Sequence, residues 1–247
     1  PTAGRHVVGP MVQLRWGSPT LLTLDLALLV ELPAPIRVIV LGRLQVLLPD
    51  QTHPLVQIRM DALGVLDLSA ETVSLDATLY DSRILQFTLT GDMALRAGWG
   101  NQPQFVLAIG GFHPRFAPPP GLPALKRLAL QLADGDSLQL RCQAYLAVTS
   151  NTVQFGARVD LHAAGGGFSF DGMLGFDAIL QLAPLAFAVD VGAALALRYH
   201  GRLLMGISFT GRLAGPTPWQ VEGKASISLL FFSVSVHFSR TFGSTTA

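Results

Sequence analysis

Charge is scarce in this sequence, and so is cysteine. Charged residues make up 13% of the 247 residues, about half the usual share of roughly 25%. Lys and Arg number 17 against 16 Asp and Glu, for a formal net charge of +1, and neither sign gathers into a block. Binding nucleic acid needs a basic stripe that displaces condensed counterions. None is present, which excludes nucleic acid as the main partner. The lone cysteine, Cys142, rules out an internal disulfide and a cysteine-built zinc site. Its place in an apolar alternation marks it as a small hydrophobe rather than a reactive thiol. No apolar run reaches the ~18 residues of a membrane-spanning helix. The richest run, Leu21 to Leu32, is broken by Thr23, Asp25 and Glu31. No signal peptide opens the chain. Its start at Pro1-Thr2-Ala3 reads as part of a longer protein, and the compartment is left unknown, with a bacterial envelope or secreted setting open.

What is abundant is apolar residues at every second position. Half the chain is hydrophobic, and strict period-two alternation is the mark of a strand with one apolar face. In Leu138 to Val148 the apolar set is Leu138, Leu140, Cys142, Ala144, Leu146 and Val148, against Gln139, Arg141, Gln143 and Tyr145. Val153, Phe155, Ala157, Val159 and Leu161 oppose Gln154, Arg158, Asp160 and His162 in the next segment. The pattern recurs in 87–97, 203–213 and 219–229, and again where Phe232, Val234, Val236 and Phe238 alternate with Ser233, Ser235, His237 and Ser239.

Turn residues fall between these segments: Ala97-Gly98-Trp99-Gly100-Asn101, Thr149-Ser150-Asn151, Ala164-Gly165-Gly166-Gly167, Tyr199-His200-Gly201-Arg202 and Gly215-Pro216-Thr217-Pro218. Strands joined by short turns are antiparallel neighbours. The expected fold is therefore all-β: a long antiparallel meander of about a dozen strands, curled into a groove or barrel-like sheet. Segments 185–197 and 36–48, apolar or small on both faces, are the expected central strands.

One stretch departs from the alternation. After Pro118-Pro119-Pro120-Gly121, residues 123–133 read as a short helix with Leu125, Leu128, Leu132 and Ala129 as its stripe and Pro123 in its first turn. This break, 118–136, separates a first β lobe (1–117) from a second (137–247), read as two lobes of one continuous sheet.

No catalytic or metal constellation emerges. The six histidines, His6, His53, His113, His162, His200 and His237, show no helical ligand spacing. Asp61, Asp67, Asp76, Asp81 and Asp92, with Arg59, Arg83 and Arg96, could supply paired carboxylates; cross-strand charge pairing on a solvated face accounts for them better. Asp134 with Asp136, and Asp171 with Asp177, lack a spaced calcium loop. Gly165-Gly166-Gly167 has no Gly-Lys-Ser/Thr ending and no following helix, so it is a turn rather than a phosphate loop. No cofactor is implied. The most individual segment is Gly110-Gly111-Phe112-His113-Pro114-Arg115-Phe116-Ala117-Pro118-Pro119-Pro120. It reads as a rigid corner whose aromatics, Phe112 and Phe116, plug the sheet beside His113 and Arg115. The competing reading makes Arg115 an anion contact on an aromatic platform.

That segment, with 149–161 (Thr149-Ser150-Asn151-Thr152-Val153-Gln154-Phe155-Gly156-Ala157-Arg158-Val159-Asp160-Leu161) and Gly215-Pro216-Thr217-Pro218-Trp219, resembles a family of large β-rich bacterial proteins of unknown function. The resemblance runs over most of the chain and brings no catalytic residue. In style, Leu75-Asp76-Ala77-Thr78-Leu79 and Phe87-Thr88-Leu89-Thr90-Gly91 are similar to the β repeats of bacterial envelope lipid-transfer proteins.

A wide sheet with one apolar face must curl, stack or hold something. The first expectation is a non-catalytic module whose apolar face shelters lipid or another hydrophobic ligand through Phe155, Phe170, Leu174, Phe176, Phe187 and Phe209. The second is a structural module of a larger secreted or phage-like assembly, with a protein partner. A membrane β-barrel is the third; the strand lengths suit it, whereas only 3 Trp and 3 Tyr are available for aromatic girdles. The oligomeric state is left open.

Overall fold

The computed structural model describes residues 6–33, 36–101, 103–216 and 218–243. Pro1-Thr2-Ala3 and Thr217 of the predicted loop lie outside them. Among the described residues there are 18 strands, all antiparallel where their pairing is given, and no helix. The chain divides into two units. The first holds residues up to 111 with 118–128 and 148–150; the second holds 112–117, 129–147 and 151 onward. Residues 112–117 of the predicted corner thus belong to the second unit, and its flanking glycines and prolines to the first.

In the first unit, β1 (His6–Val8) and β2 (Met11–Trp16) run along the same neighbour, β3 (Leu22–Leu32). They are one line interrupted at Gly9-Pro10. A Cβ on Gly9 would stand 1.6 Å from the Leu28 carbonyl oxygen, so only glycine fits that approach. The meander continues through β4 (Arg37–Leu48), β5 (Val56–Asp67) and β6 (Thr72–Leu79). A short β7 (Ser82–Ile84) follows on the same side of β5, and β8 (Phe87–Thr90) and β9 (Asp92–Gly98) return along β7 and β6. Finally β10 (Gln104–Ile109) pairs with β9. At the break between β6 and β7, Ser82 is 2% exposed. Its hydroxyl accepts from the Arg59 N–H at 2.9 Å and reaches the Arg59 and Tyr80 carbonyls at 3.0 Å, replacing ladder bonds the break removes.

Register sorts this sheet into two faces. Opposed residues share a face, and Leu24–Leu44–Met60–Leu79 forms one apolar row. The other face carries the row Asp25–Arg43–Asp61–Thr78–Asp92. Arg43 donates to Asp61 at 2.9 Å, and Arg96 grips Asp76 with two bonds of 2.8 and 2.9 Å. The predicted cross-strand charge pairing is thus present for Asp61 and Asp76. The Asp61 carboxylate raises the pKa of Arg43 above its ordinary value, by hydrogen bonding first and charge second.

The second unit contains β11 (Leu128–Asp134) from Ala129 onward and β12 (Leu138–Thr149) as far as Ala147, then six consecutive hairpin-linked strands: β13 (Thr152–Gly165), β14 (Phe168–Gln181), β15 (Ala186–Tyr199), β16 (Arg202–Gly215), β17 (Trp219–Leu229) and β18 (Phe232–Phe242). Two of the turns have the chemistry their sequences announced. Gly166 (φ 59°) and Gly167 (φ 79°) join β13 to β14, and His200 (φ 44°) and Gly201 (φ 79°) join β15 to β16. Two central residues at positive φ give the hairpin twist that matches the strands.

The helix expected over 123–133 does not form. Residues 122–127 are irregular, and Leu128–Asp134 is strand β11. Leu128-Ala129-Leu130-Gln131-Leu132-Ala133 satisfies a period of two as well as one of 3.6. The preceding backbone is committed elsewhere: the Lys126 N–H donates to the Asp92 carboxylate at 2.8 Å, and the Lys126 carbonyl accepts from the Asp92 N–H at 3.2 Å. No helix among the described residues is long and apolar enough to cross a membrane, which bears on helices alone.

Candidate functional site: an amphipathic sheet with an open apolar face

The register of β13 to β18 gathers the apolar alternation of six strands into one face. Phe155–Ala178–Val189–Leu213–Val221 is one row across it. Val159–Leu174–Ala193–Phe209–Ala225–Val236 is another, and Leu161–Gly172–Leu195–Ile207–Ile227–Val234 lies beside that. All six residues predicted to contact a hydrophobic ligand lie on this face. Phe155 and Phe176 meet edge to face with their centroids 6.2 Å apart, within the roughly 4.5–7 Å typical of aromatic pairs. Phe187 packs edge-on against Trp219 at 5.1 Å. Leu174 and Phe209 share the second row, and Phe170 lies two rows further along β14.

This face is open. Leu174 is 60% exposed, Val236 60%, Ile227 51% and Phe155 46%. With a rise of about 3.3 Å per residue and about 4.8 Å between strands, six strands of this length present on the order of 1,000 Å². The largest apolar patch of an ordinary monomer is roughly 300–600 Å². Alternation marks an apolar face, and in these strands much of that face is exposed. Glycines on the face are roofed by neighbouring rings: a Cβ on Gly223 would lie 2.3 Å from Cζ of Phe238, its cross-strand partner.

Burial is deepest on the other face. At the start of β13, Thr152 is 7% exposed and Gln154 0%, while Phe155, the next residue along the strand, is open. Segment 112–117 covers this polar side. The Gln154 side-chain oxygen accepts from the His113 N–H at 3.0 Å, and its amide donates to the Thr152 hydroxyl at 2.8 Å. His113 is 3% exposed. Its Nδ1 accepts from the Arg115 N–H at 3.1 Å, which leaves the proton on Nε2, 3.7 Å from Asp190. Phe112 and Phe116 stack with centroids 5.5 Å apart. The Arg115 guanidinium donates to Asp190 at 3.0 Å.

Asp190 directly faces Asp177 across β14 and β15. Opposed like charges are unfavourable, and each has its own counterpart: Arg115 with His113 at Asp190, and the Tyr145 hydroxyl, which donates to Asp177 at 2.8 Å. Further along the same face Asp171 sits between His162, at 2.6 Å, and Arg198. No local pattern in the sequence marks these groupings; they join residues from 9 positions apart, in His162 and Asp171, to 77 apart, in His113 and Asp190. Neither Asp171 nor Asp177 lies in a loop: both are strand residues.

Two clefts accompany these faces. One, of ≈ 510 Å³, lies on the polar side of β15 to β18 and is bounded by Arg115, Asp190, Arg212, Glu222, Lys224 and His237. The other, of ≈ 910 Å³, lies in the first unit, where Met11, Leu41 and Leu63 meet Asp25, Arg43 and Asp61. Cys142 is half-buried with a free thiol.

The whole chain, residues 1–247, matches the model of DUF6603, a family of unknown function. The chain belongs to that family. No curated protein and no solved structure matches the chain. Family membership accords with the resemblance drawn from 110–120, 149–161 and 215–219, and assigns no residue a role.

Proposed function

We propose that this DUF6603 chain is a non-catalytic β-sheet module whose apolar face covers hydrophobic ligands, acyl chains among them. The observation that carries the reading is the open face of β13 to β18, with Leu174, Ile227 and Val236 more than half exposed. At roughly 25 cal/mol per Å², covering on the order of 1,000 Å² of such surface yields on the order of 20 kcal/mol before the costs of association. Large and small side chains alternate along β14, from Phe170 through Gly172 to Leu174, an uneven apolar surface suited to a flexible chain.

A second reading places another β layer on the same face, as in a structural module of a larger assembly. The size of the face favours it, since a standard protein interface takes about 800 Å² from each partner.

Native mass spectrometry of the purified chain, followed by titration with a dansylated fatty acid, tests the first reading. Expected are co-purified lipid or saturable fatty-acid binding, weakened at least tenfold in Leu174→Asp. Equal binding by Leu174→Asp, or no binding by either protein, overturns it. A lipid-free dimer that Leu174→Asp converts to monomer supports the second.

A further inference from the structure

The cleft on the polar side of β15 to β18 carries charge that the protein does not balance. Its Arg115 is engaged by Asp190 at 3.0 Å, and its Arg212 faces Glu222 across β16 and β17 at 3.9 Å. Those two pairs account for both carboxylates lining the cleft. Lys224 remains. Among the described residues its side chain forms no ion pair or hydrogen bond, and neither does that of His237, which stands directly opposite it on β18. Thr210 stands opposite Lys224 on its other side, in β16.

Opposed residues in antiparallel strands have Cβ atoms about 4.5–5.5 Å apart. An ammonium, an imidazole and a hydroxyl in one row can therefore converge on a single group. All three can donate hydrogen bonds, and the ammonium is a compact point charge suited to phosphate. The volume, ≈ 510 Å³, falls in the range of small-ligand sites, roughly 300–1,000 Å³. One wall is preorganised: Arg115 is tied through His113 to the buried Gln154.

We propose that Thr210, Lys224 and His237 form an oxyanion site that takes a phosphate group, carried by a small phosphorylated molecule or by a phospholipid headgroup. The site lies on the face opposite the apolar one and does not rest on the function proposed above.

The test is an amide-resolved NMR titration of the full chain at fixed ionic strength with inorganic phosphate and with glycerol 3-phosphate. It is paired with co-sedimentation on phosphatidylcholine vesicles, with and without phosphatidylglycerol. Lys224→Gln is the test variant. Arg240→Gln, which removes the same charge from a residue opposite Val221 on the apolar face, is the control. The expected result is saturable shifts at 210, 224 and 237, with affinity reduced roughly tenfold in Lys224→Gln, the loss of one charge-assisted contact, and unchanged in Arg240→Gln. Binding to the soluble phosphates assigns a soluble ligand. Binding only to phosphatidylglycerol vesicles, lost in Lys224→Gln, assigns a headgroup. No binding to either, or equal loss in both variants, overturns the site while leaving fatty-acid binding on the apolar face to stand or fall separately.

Discussion

The ring of Tyr145 occupies the space that a side chain on Gly156 would need: a Cβ there would stand 2.5 Å from Cε1 of Tyr145. The ring crosses this gap in β13 and its hydroxyl reaches Asp177 on β14, at 2.8 Å. Gly156 is therefore what lets three consecutive strands share one aromatic tie on the polar face. Gly156→Ala must push the ring away and also meets the Phe176 carbonyl oxygen at 2.7 Å. The expected cost is about 1–3 kcal/mol. Tyr145→Phe keeps the packing, loses the bond to a carboxylate and costs about 1.5–3 kcal/mol. Urea unfolding of both variants checks this, and a Gly156→Ala protein as stable as the parent would show that the ring is not held there.

The corner depends on Gln154. The Gln154 side chain is fully buried and bonded to the His113 N–H, so Gln154→Ala takes the acceptor from a buried donor. A loss of about 1–3 kcal/mol is expected. Hydrogen exchange should quicken at 112–117 while the β17 and β18 amides keep their protection.

On the apolar face, exposure decides tolerance. Leu174→Asp, at a position 60% exposed, should cost less than about 1 kcal/mol and reduce self-association. Ala178→Asp on the same strand and face, where the residue is 6% exposed, should cost about 3 kcal/mol or more, because an unpaired carboxylate would be shut away from water. Thermal melts with light scattering separate the two outcomes.

Acid sensitivity should concentrate at Asp67. Its carboxylate accepts from the Ala70 N–H at 2.9 Å, the Ser69 N–H at 3.0 Å and Arg37 at 2.7 Å. The Ala70 bond and then Arg37 hold its pKa below the ordinary carboxylate value. A depressed folded-state pKa stabilises the fold above the unfolded value, roughly pH 4, and that stabilisation is lost as pH falls through the folded value. Asp67→Asn should be less stable than the parent at neutral pH and should lose less on acidification below pH ~4. Denaturation midpoints across that range decide it; parallel curves would remove Asp67 from the account.

The information legible in the amino-acid order is local. Period-two alternation is a property of one strand, and positive-φ turns need particular residues, so the β class, the antiparallel meander and the Gly166-Gly167 and His200-Gly201 hairpins were legible. Grouping Phe155, Phe170, Leu174, Phe176, Phe187 and Phe209 on one face followed from the same parity. Where local signals conflicted, as in Leu128 to Ala133, the reading went to helix, and the backbone bonds of Lys126 to Asp92 settled it as strand. Register, by contrast, is set by the whole sheet. Only the tertiary structure could place Tyr145 on Asp177, Arg115 on Asp190 and Lys224 opposite His237. It also decided which face is covered. Alternation distinguishes two faces but carries no label for inside and outside; that was decided when residues 112–117 settled on the polar side and left the apolar side open.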